Sequence, residues 1–413
     1  MRAEDLRGKT IAFAASGGLD SCTITRWLAD QGVKVVCVTL DLGQPDDPDL
    51  EAVRQRMLAS GAAEAHVLDG REALAREGMK VIHAQAKYEG DYWNTTGIAR
   101  HVTTRIILDF MRQRGITVLS HGATGRGNDQ VRFQIVTNML EPDFQVYAPW
   151  RDESFLHAFG GRKEMIDFCL ERGIPIKASH DKPYSTDANL LGLTHEAGKL
   201  ESLKEGAFSI DPEFGVLPTQ APDTPERFVV RFEQGMPVAV NGKPVSILEA
   251  FQEANAAGGR NGVGIALHLV ENRFVGIKSR GVYETPAMAV LGRAYEYLLQ
   301  LILDRRARRL FTTLSEYLAE QIYQGYWFDT GSAAAKEAVA AFTQFATGTI
   351  ALDLYKGNAI FAYAEDVPHC VYSETAASME KVGEFNHADS EGFLNVLGVS
   401  ARILARAGQV NRQ

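Results

Sequence analysis

The sequence predicts an α/β protein with a doubly wound parallel sheet, followed by an α+β domain and a C-terminal helix. Short apolar runs alternate with helical patterns over residues 10–120, which is typical of parallel strands joined by crossover helices. Residues 33–40 (VKVVCVTL) are almost continuously apolar, as expected of a strand buried on both faces. Later in the chain, Asn241 and Gly242 form a favourable hairpin pair, so this region is predicted to be antiparallel.

The elements follow from these patterns in chain order. We predict strands at 11–15, 33–40, 65–68 and 116–120, and helices at 48–60, at 71–87 and up to Gly115. After a connecting loop at 218–225, we predict hairpins at 227–240 and 350–364, long helical patterns at 286–324 and 333–345, and an amphipathic helix at 390–407.

Composition limits the possible functions. The chain has 413 residues and a formal net charge of −9, which argues against a broad nucleic-acid-binding surface. Cys22, Cys37, Cys169 and Cys370 are far apart and form no C-x-x-C pair, so neither a zinc site nor a disulfide framework is indicated. Free thiols fit a reducing compartment, and no run of 18 apolar residues predicts a membrane span. We expect a soluble, cytoplasmic protein.

The first predicted strand ends in the loop 16–21 (SGGLDS), where a helix begins. Gly17 and Gly18 let the backbone approach a ligand closely, and a helix N-terminus favours an anion, so the loop predicts a phosphate site. We expect Asp20 and Ser21 to cap the helix. The spacing matches neither the P-loop nor the dinucleotide fingerprint, and an ordinary strand-to-helix turn remains the alternative.

A second concentration of polar side chains follows the predicted strand at 116–120. Residues 121–133 (HGATGRGNDQVRF) combine glycines with a hydroxyl, an amide, a carboxylate and two guanidinium groups. Asn128 and Arg132 are separated by one helical turn and are predicted to point the same way. Strand ends in open α/β sheets are where ligands collect, so this stretch is a second candidate binding segment.

These two segments carry a family resemblance. SGGLDS resembles the pyrophosphate loop of ATP pyrophosphatases, and HGATGRGNDQVRF resembles the corresponding stretch of argininosuccinate synthases. Further stretches that resemble this family occur in order along the chain, at 148–151, 161–164, 184–190, 194–197, 231–235, 270–273, 278–286 and 323–327.

The resemblance implies a domain organisation. We expect a nucleotide-binding domain at 1–170, a synthetase or substrate domain at 171–365, and a tail with an oligomerisation helix at 366–413. The tail would tie a homotetramer together; docking of this helix onto its own domain is the alternative.

The resemblance also implies a reaction, in which citrulline, aspartate and ATP give argininosuccinate, AMP and pyrophosphate. The ureido carbon is a poor electrophile and its oxygen a poor leaving group. Attack of that oxygen on the α-phosphorus gives a citrullyl adenylate, from which the aspartate amine displaces AMP. The protein then has to supply positioning and charge stabilisation rather than a covalent nucleophile.

Site residues follow from the resemblance position by position. ATP is expected to contact Ala14, Ala15, Ser16, Gly17, Gly18, Leu19, Asp20, Ser21, Cys22, Leu40, Gly122 and Asp187. Aspartate is expected to contact Thr124, Asn128 and Asp129. Citrulline is expected to contact Tyr92, Asn128, Arg132, Ser185, Thr194, Glu196, Glu271 and Tyr283. Catalytic roles are expected for Asp20, Asp129 and Arg132, and Mg²⁺ is expected to arrive on the nucleotide, with no protein metal motif.

The chemistry of three of these side chains fits the expected roles. Asp129 suits an ammonium group, Arg132 a carboxylate, and Glu271 the α-ammonium of an amino acid. The alternative for three residues is a structural role rather than a binding role: Ser185 and Thr194 could cap turns, and Glu271 could form an ion pair with a nearby arginine.

Some positions depart from the family pattern or carry no assigned role. Gly97 and His101 stand where many members have serine or proline, which leaves open a relative with a different ureido or amino-acid substrate. Another ATP pyrophosphatase-type synthetase and a silent nucleotide-binding protein are the remaining alternatives. His121 and His195 are not favoured as acid–base groups, because a lone histidine is more often a packing residue.

Overall fold

The computed structural model describes residues 1–46, 48–176, 184–380 and 386–411. In its first part, strands and helices alternate. The strands are β1 (Thr10–Ala14), β2 (Lys34–Asp41), β3 (Glu64–Asp69), β4 (Val118–His121) and β5 (Gln145–Tyr147). The helices are α1 (Leu19–Asp30), α2 (Leu50–Ala59), α3 (Arg71–Ala84), α4 (Thr95–Arg114), α5 (Asp129–Leu140), α6 (Glu153–Ala158) and α7 (Arg162–Glu171).

These strands form a parallel sheet in the order β3-β2-β1-β4-β5. The chain adds β2 and β3 on one side of β1 and then crosses to add β4 and β5 on the other. The strand order therefore reverses between β1 and β4, whose ends meet with Ala14 opposite His121. Ligands of such sheets bind outside the carboxyl ends of the strands at this reversal. The predicted doubly wound parallel sheet is confirmed.

The second part is dominated by antiparallel sheets. Its strands are β6 (Ser185–Asn189), β7 (Gly192–Glu196), β8 (Glu226–Glu233), β9 (Met236–Val240), β10 (Lys243–Pro244), β11 (Leu267–Asn272), β12 (Lys278–Glu284), β13 (Gly348–Tyr355) and β14 (Asn358–Glu365). Its helices are α8 (Ile247–Arg260), α9 (Pro286–Ile302), α10 (Arg305–Gln324) and α11 (Thr330–Thr343). One sheet has the order β10-β9-β8-β13-β14 and the other the order β11-β12-β7-β6.

The predicted long helical stretch at 286–324 is divided in the structure. Helix α9 ends at Ile302 and α10 begins at Arg305. The Asp304 side chain accepts a hydrogen bond from the Ala307 N–H at 2.8 Å, and an N-cap of this kind starts a new helix. Periodicity alone missed this break because both segments carry apolar residues at helical spacing.

By compactness the chain falls into residues 1–368 and residues 369–413. The second unit contains the short helix α12 (Glu374–Ala377) and α13 (Ala388–Arg406), which confirms the predicted terminal helix. Among the apolar side chains of α13, Phe393, Leu397 and Ile403 are exposed. The predicted domain boundaries at residues 170 and 365 stay predictions. Within the described residues, no helix is long and apolar enough to cross a membrane.

Candidate active site

A cavity of about 260 Å³ lies beside the carboxyl ends of β1 and β4. It is bounded by the parallel sheet's loops, by helices α4, α5 and α10, and by one face of the sheet β11-β12-β7-β6. The lining residues are Asp20, Tyr92, Thr96, Gly122, Ala123, Thr124, Gly127, Asn128, Asp129, Arg132, Asp187, Thr194, Glu196, Glu271, Arg273, Tyr283 and Tyr323.

The glycine loop connects β1 to α1 at one side of this cavity. Gly17 has a φ of +75°, which glycine adopts without strain, and its carbonyl accepts a hydrogen bond from Arg56 at 2.7 Å. Ser21 does not cap the helix as we predicted. Its hydroxyl instead accepts the Ser16 N–H at 3.0 Å, while Gly18 is the N-cap residue. The first N–H groups of α1 have no partner within the helix and are available to an anion.

Gly122 brings the second loop against the first. A Cβ on Gly122 would lie 3.6 Å from the Asp20 Cβ, so the ends of β1 and β4 pack closely. The Trp150 indole N–H donates to Asp20 Oδ1 at 3.0 Å. Burial raises the pKa of the Asp20 carboxyl above its usual value, and the bond from Trp150 partly opposes this shift.

The start of α5 presents a carboxylate between two guanidinium groups. Asp129 Oδ1 accepts a hydrogen bond from Arg132 at 2.8 Å, and Asp129 Oδ2 accepts one from Arg100 at 2.9 Å. Burial alone would raise the pKa of Asp129, but the two cations outweigh it and hold that pKa below its usual range. Arg100 also donates to Asp187 at 2.5 Å, so it joins two residues that were predicted to contact different substrates.

Arg132 and Asn128 both face the cavity, as their helical spacing predicted. The Arg132 Nε–H donates to the Tyr323 carbonyl at 3.0 Å, and its guanidinium lies 5.0 Å from the centre of the Tyr323 ring. The Asn128 amide donates to the Tyr323 hydroxyl at 2.8 Å and accepts the Phe274 N–H at 3.0 Å. Tyr323, on α10, therefore fixes the orientation of both side chains.

One face of the sheet β11-β12-β7-β6 forms the opposite wall. Tyr283 lies opposite Thr194, which lies opposite Asp187. Because side chains alternate along a strand, this register places the three on the same face. Glu271 is 8% exposed; its Oε1 accepts the Ser279 hydroxyl at 3.1 Å, and its buried Oε2 has no hydrogen-bond partner. A buried carboxylate oxygen without a partner that lines a cavity is suited to a cationic ligand group.

Stacked tyrosines close the wall. The rings of Tyr92 and Tyr283 are 4.4 Å apart, and those of Tyr88 and Tyr323 are 3.7 Å apart. Loss of hydration, followed by the negative charge of Glu271, raises the pKa of Tyr92 to about 12. These phenols therefore act as neutral hydrogen-bonding groups near pH 7.

Glu196 is a cavity residue whose carboxyl has a pKa close to neutral pH. It ends β7 and is exposed as a residue, but partial loss of hydration and the charges of Asp129 and Asp187 raise the pKa of its carboxyl to about 7. A carboxyl group tuned in this way can change its protonation state during a reaction.

The comparisons with known proteins match both parts of the chain. The family model described as "Arginosuccinate synthase N-terminal HUP domain" matches residues 10–175, and the one described as "Arginosuccinate synthase C-terminal domain" matches residues 184–404. The chain belongs to the argininosuccinate synthase family. It is therefore an enzyme, and the family resemblance found in the sequence is confirmed.

Curated relatives extend the match to almost the whole length. Argininosuccinate synthase from Rhodopirellula baltica is 43% identical over 400 residues, which cover 96% of this chain and 98% of the relative. Argininosuccinate synthase from Thermoanaerobacter pseudethanolicus is 38% identical, with 97% and 96% covered. Argininosuccinate synthase from Desulfitobacterium hafniense is 36% identical, with 98% of both chains covered.

For a member of this family, the cavity gathers most of the residues predicted from sequence. The predicted residues that line it are Asp20, Tyr92, Gly122, Thr124, Asn128, Asp129, Arg132, Asp187, Thr194, Glu196, Glu271 and Tyr283. This lining does not include the other predicted residues of the stretch 14–22, apart from Asp20, nor Leu40 and Ser185. Leu40 is 6% exposed on β2, which neighbours β1. Ser185 is exposed on the edge strand β6.

The residues at the site without a predicted role include Thr96, Arg273 and Tyr323 of the lining, and Arg100, which bonds the lining residues Asp129 and Asp187. Thr96 and Arg100 lie one helical turn apart on α4 and could have been found as a polar face of that helix. Tyr323 begins the stretch 323–327 that resembles the family, but its role was missed because it reaches the cavity from α10, almost 200 positions after Asn128. His121 and His195 are fully buried and do not line the cavity.

The two departures from the argininosuccinate synthase pattern lie beside the cavity on α4. A Cβ on Gly97 would lie 3.5 Å from Arg132 Cζ and 3.2 Å from Ile322 Cγ2. The His101 Nδ1 is bonded to the Gly97 carbonyl at 2.8 Å, and burial lowers the pKa of His101 to about 4. His101 is therefore a neutral group near pH 7, and its ring packs edge-on against Phe328.

Proposed function

We propose that the chain joins citrulline to aspartate at the expense of ATP, giving argininosuccinate, AMP and pyrophosphate through a citrullyl adenylate. The observation that supports this most strongly is the convergence of Asp129, Arg132 and Glu271 on one cavity beside the glycine loop. Two amino acids and a triphosphate require opposite charges at separate positions, and this cavity offers them.

The nucleotide is proposed to place its phosphates at the N-terminus of α1, against Gly18 and Ser16. Gly122 leaves room for the nucleotide above Asp20, and Leu40 offers an apolar surface for the adenosine. The ureido oxygen of citrulline would then attack the α-phosphorus and expel pyrophosphate. The enzyme contributes by aligning the two reacting atoms and by presenting fixed dipoles to the charge that develops.

Aspartate is proposed to bind at the start of α5. Its ammonium group would approach Asp129, whose ionised state is secured by Arg100 and Arg132. Thr124 and Asn128 would bond its carboxylates. The Asn128 amide already bonds Tyr323 and Phe274, so aspartate would have to share or replace one of these bonds.

Citrulline is proposed to span the cavity between α5 and the sheet wall. Arg132 would bind its α-carboxylate, and the unpartnered Glu271 Oε2 its α-ammonium group. Tyr92, Tyr283 and Thr194 would contact the remainder of the molecule, with Ser185, Glu196 and Asn128 nearby.

Mg²⁺ is proposed to be bound with the nucleotide. Carboxylates outnumber guanidinium groups in the lining, since Asp20, Asp129, Asp187, Glu196 and Glu271 face Arg132 and Arg273. A triphosphate entering this cavity needs additional positive charge, which a metal ion supplies. Among the described residues no group of three or more His, Cys, Asp or Glu side chains could hold a metal ion. Phosphate oxygens would therefore be its main ligands, with Asp20 and Asp187 close by.

We also propose a homotetramer tied by the tail, a cytoplasmic location and no nucleic-acid partner. The amphipathic helix α13 with its exposed apolar residues supports the tetramer. Free thiols at Cys22, Cys37, Cys169 and Cys370 support a reducing compartment, and the net charge of −9 argues against nucleic acid.

The deciding experiment is an assay of the purified protein with ATP, Mg²⁺, citrulline and aspartate, following AMP, pyrophosphate and argininosuccinate. We expect the three products in equal amounts. Ornithine keeps the zwitterion but lacks the ureido group, and it should give no aspartate adduct. Homocitrulline and other ureido acids complete the panel. If one of them exceeds citrulline in kcat/KM by more than about tenfold, the protein is a paralogue with a different substrate.

A further inference from the structure

A buried histidine–carboxylate pair lies behind the cavity wall. His195 Nε2 and Glu284 Oε1 are 2.5 Å apart, and both side chains are completely buried. His195 lies on β7 between Thr194 and Glu196, and Glu284 follows Tyr283 on β12. Because side chains alternate along strands, the pair occupies the face of the sheet opposite to the cavity.

The Glu284 carboxyl group is surrounded by hydrogen-bond partners. Besides His195, its carboxylate accepts the Glu213 N–H at 3.0 Å and the Phe214 N–H at 2.8 Å. The two backbone N–H groups and Nε2 of His195 thus surround the Glu284 carboxyl group. The His195 Nδ1 is buried without a hydrogen-bond partner. The imidazole is therefore held by Glu284 and by the Tyr184 ring, which it meets edge-on with ring centres 5.2 Å apart, and it lies on the face of the sheet away from the cavity.

Stabilisation of the fold is not expected to be the main role of such a pair. Removing two charged or polar groups from water costs several kcal/mol, and well-packed apolar residues are often at least as stabilising. Strands β7 and β12 are already joined by their backbone ladder, and what the pair adds is a side-chain link from both strands to the segment at 213–214. The register next to it, Thr194 opposite Tyr283, is the register of the cavity wall.

We propose that His195 and Glu284 are positioning residues that set the geometry of the substrate wall; this inference rests on the proposed function. A displacement of His195 moves its neighbours Thr194 and Glu196. Thr194 is further tied to helix α4, since its hydroxyl lies 3.1 Å from that of Thr96. The loop 16–21 and the start of α5, where the phosphates and aspartate are proposed to bind, belong to the other sheet. Of the proposed nucleotide contacts, Asp187 lies on this wall, opposite Thr194. Loss of the pair should therefore weaken citrulline, whose proposed contacts are concentrated on the wall, more than aspartate or ATP.

The test compares three variants with the wild-type enzyme. His195→Leu removes the donor at similar volume, whereas His195→Gln places an amide N–H where Nε2 stood. His83→Leu is the control, because His83 is a histidine of α3, outside the cavity lining, that bonds the Gly235 carbonyl at 2.9 Å. For each, KM for citrulline, aspartate and ATP, kcat and the melting temperature are measured. We expect His195→Leu to raise KM for citrulline about tenfold, with smaller changes in KM for aspartate and for ATP.

The conservative variant and the control separate positioning from folding. His195→Gln should recover most of the substrate affinity, and His83→Leu should lower the melting temperature without changing the ratio of the KM values. Equal changes in all three KM values, or a loss of kcat alone, would overturn the inference. If His195→Leu does not fold, Glu284→Gln is judged by the same ratio. A wild-type enzyme that forms no argininosuccinate would instead refute the proposed function.

Discussion

Arg100 on α4 donates to Asp187 on β6 at 2.5 Å and thereby connects the two parts of the chain that match separate family models. The same guanidinium bonds Asp129 at 2.9 Å. Its side chain is only 20% exposed, so both interactions are poorly screened by water. Arg100 thus holds the proposed aspartate site and the proposed nucleotide site at a fixed separation.

Arg100→Ala should impair both folding stability and catalysis. Removing one partner of a mostly buried ion pair leaves carboxylates uncompensated and typically costs about 3 kcal/mol. Chemical denaturation measures this loss, and steady-state kinetics should show a fall in kcat/KM for aspartate. Arg100→Lys keeps the charge but cannot contact both carboxylates in the same planar way. Its stability and its kcat/KM for aspartate should therefore lie between those of the alanine variant and the wild type. An alanine variant with normal stability and kinetics would refute the bridging role.

Asp129→Ala should raise the KM for aspartate strongly while ATP binding changes little. The reason is that Asp129 would be the partner of the substrate ammonium group, and loss of a buried charge partner is worth about 2 to 5 kcal/mol. Titration calorimetry with ATP and kinetics with varied aspartate distinguish the two sites. Because Arg100 and Arg132 also lose their shared carboxylate, the melting temperature must be measured alongside. An unchanged dependence on aspartate would contradict the assignment.

Two adjacent glycines should respond differently to substitution. A Cβ on Gly18 meets only Ser16 Oγ, at 3.4 Å, so Gly18→Val should fold but lose turnover, because its methyl groups would occupy the phosphate site. A Cβ on Gly17 would lie 2.6 Å from Val53 Cγ1, at a φ of +75°. Gly17→Ala should therefore destabilise the protein itself. Thermal melting and ATP binding of both variants provide the comparison, and normal ATP affinity in Gly18→Val would rule out the phosphate loop.

The activity should depend on the protonation of Glu196. The pKa of its carboxyl is raised to about 7 by loss of hydration and by neighbouring carboxylates, so the carboxylate form is gained as the pH rises through neutrality. If this form assists a cationic substrate group, kcat/KM should increase with pH across that range. Glu196→Gln should abolish the inflection. A profile of the variant that keeps the same inflection would assign it to another group.

Stability should depend on the same group with the opposite sign. The unfolded carboxyl titrates near its ordinary value of 4.5, whereas the folded one titrates near 7. Between these values the folded state binds more protons, so this residue's contribution to the free energy of unfolding decreases as the pH rises. Denaturation of wild type and Glu196→Gln at several pH values between 5 and 8 measures the difference. A larger slope in the glutamine variant would contradict this expectation.

Gly97→Ser should change the affinity for citrulline. The new Cβ would lie 3.5 Å from Arg132 Cζ, so the hydroxyl would stand beside the guanidinium proposed to bind the α-carboxylate. If Ile322 yields by a few tenths of an ångström, KM for citrulline should fall by about threefold, as one added hydrogen bond can supply. Gly97→Ala adds the bulk without the hydroxyl. Identical behaviour of the two variants would show that only bulk matters at this position.

The parallel sheet and the hairpins could be predicted because each has a local signal, whereas most cavity residues were predicted from the family resemblance. The loop 16–21 combines a strand end, glycines and a helix start, and Asn128 and Arg132 share one helical turn. Arg100 and Tyr323 were missed because their importance arises from contacts across the fold. Nothing within the helical pattern of α10 shows that the Tyr323 hydroxyl meets Asn128.

The break between α9 and α10 was not predicted, for a different reason. Apolar periodicity records which face of a helix is buried, and it continues across a turn when both helices pack on one core. Only the Asp304 side chain marks the boundary, and an aspartate before an arginine-rich segment is equally compatible with a continuous exposed helix face. The prediction that Ser21 caps the helix was wrong because its hydroxyl accepts a hydrogen bond from the Ser16 N–H instead.

The reach of Tyr323 into the cavity also bears on how the enzyme is made. Synthesis proceeds from the N-terminus and domains tend to fold in that order, so the parallel sheet and its glycine loop can form while the later half is still on the ribosome. Arg132 obtains its carbonyl and ring partners only once position 323 has emerged. The side of the cavity proposed for the amino acids is therefore completed last, after the N-terminal sheet is in place.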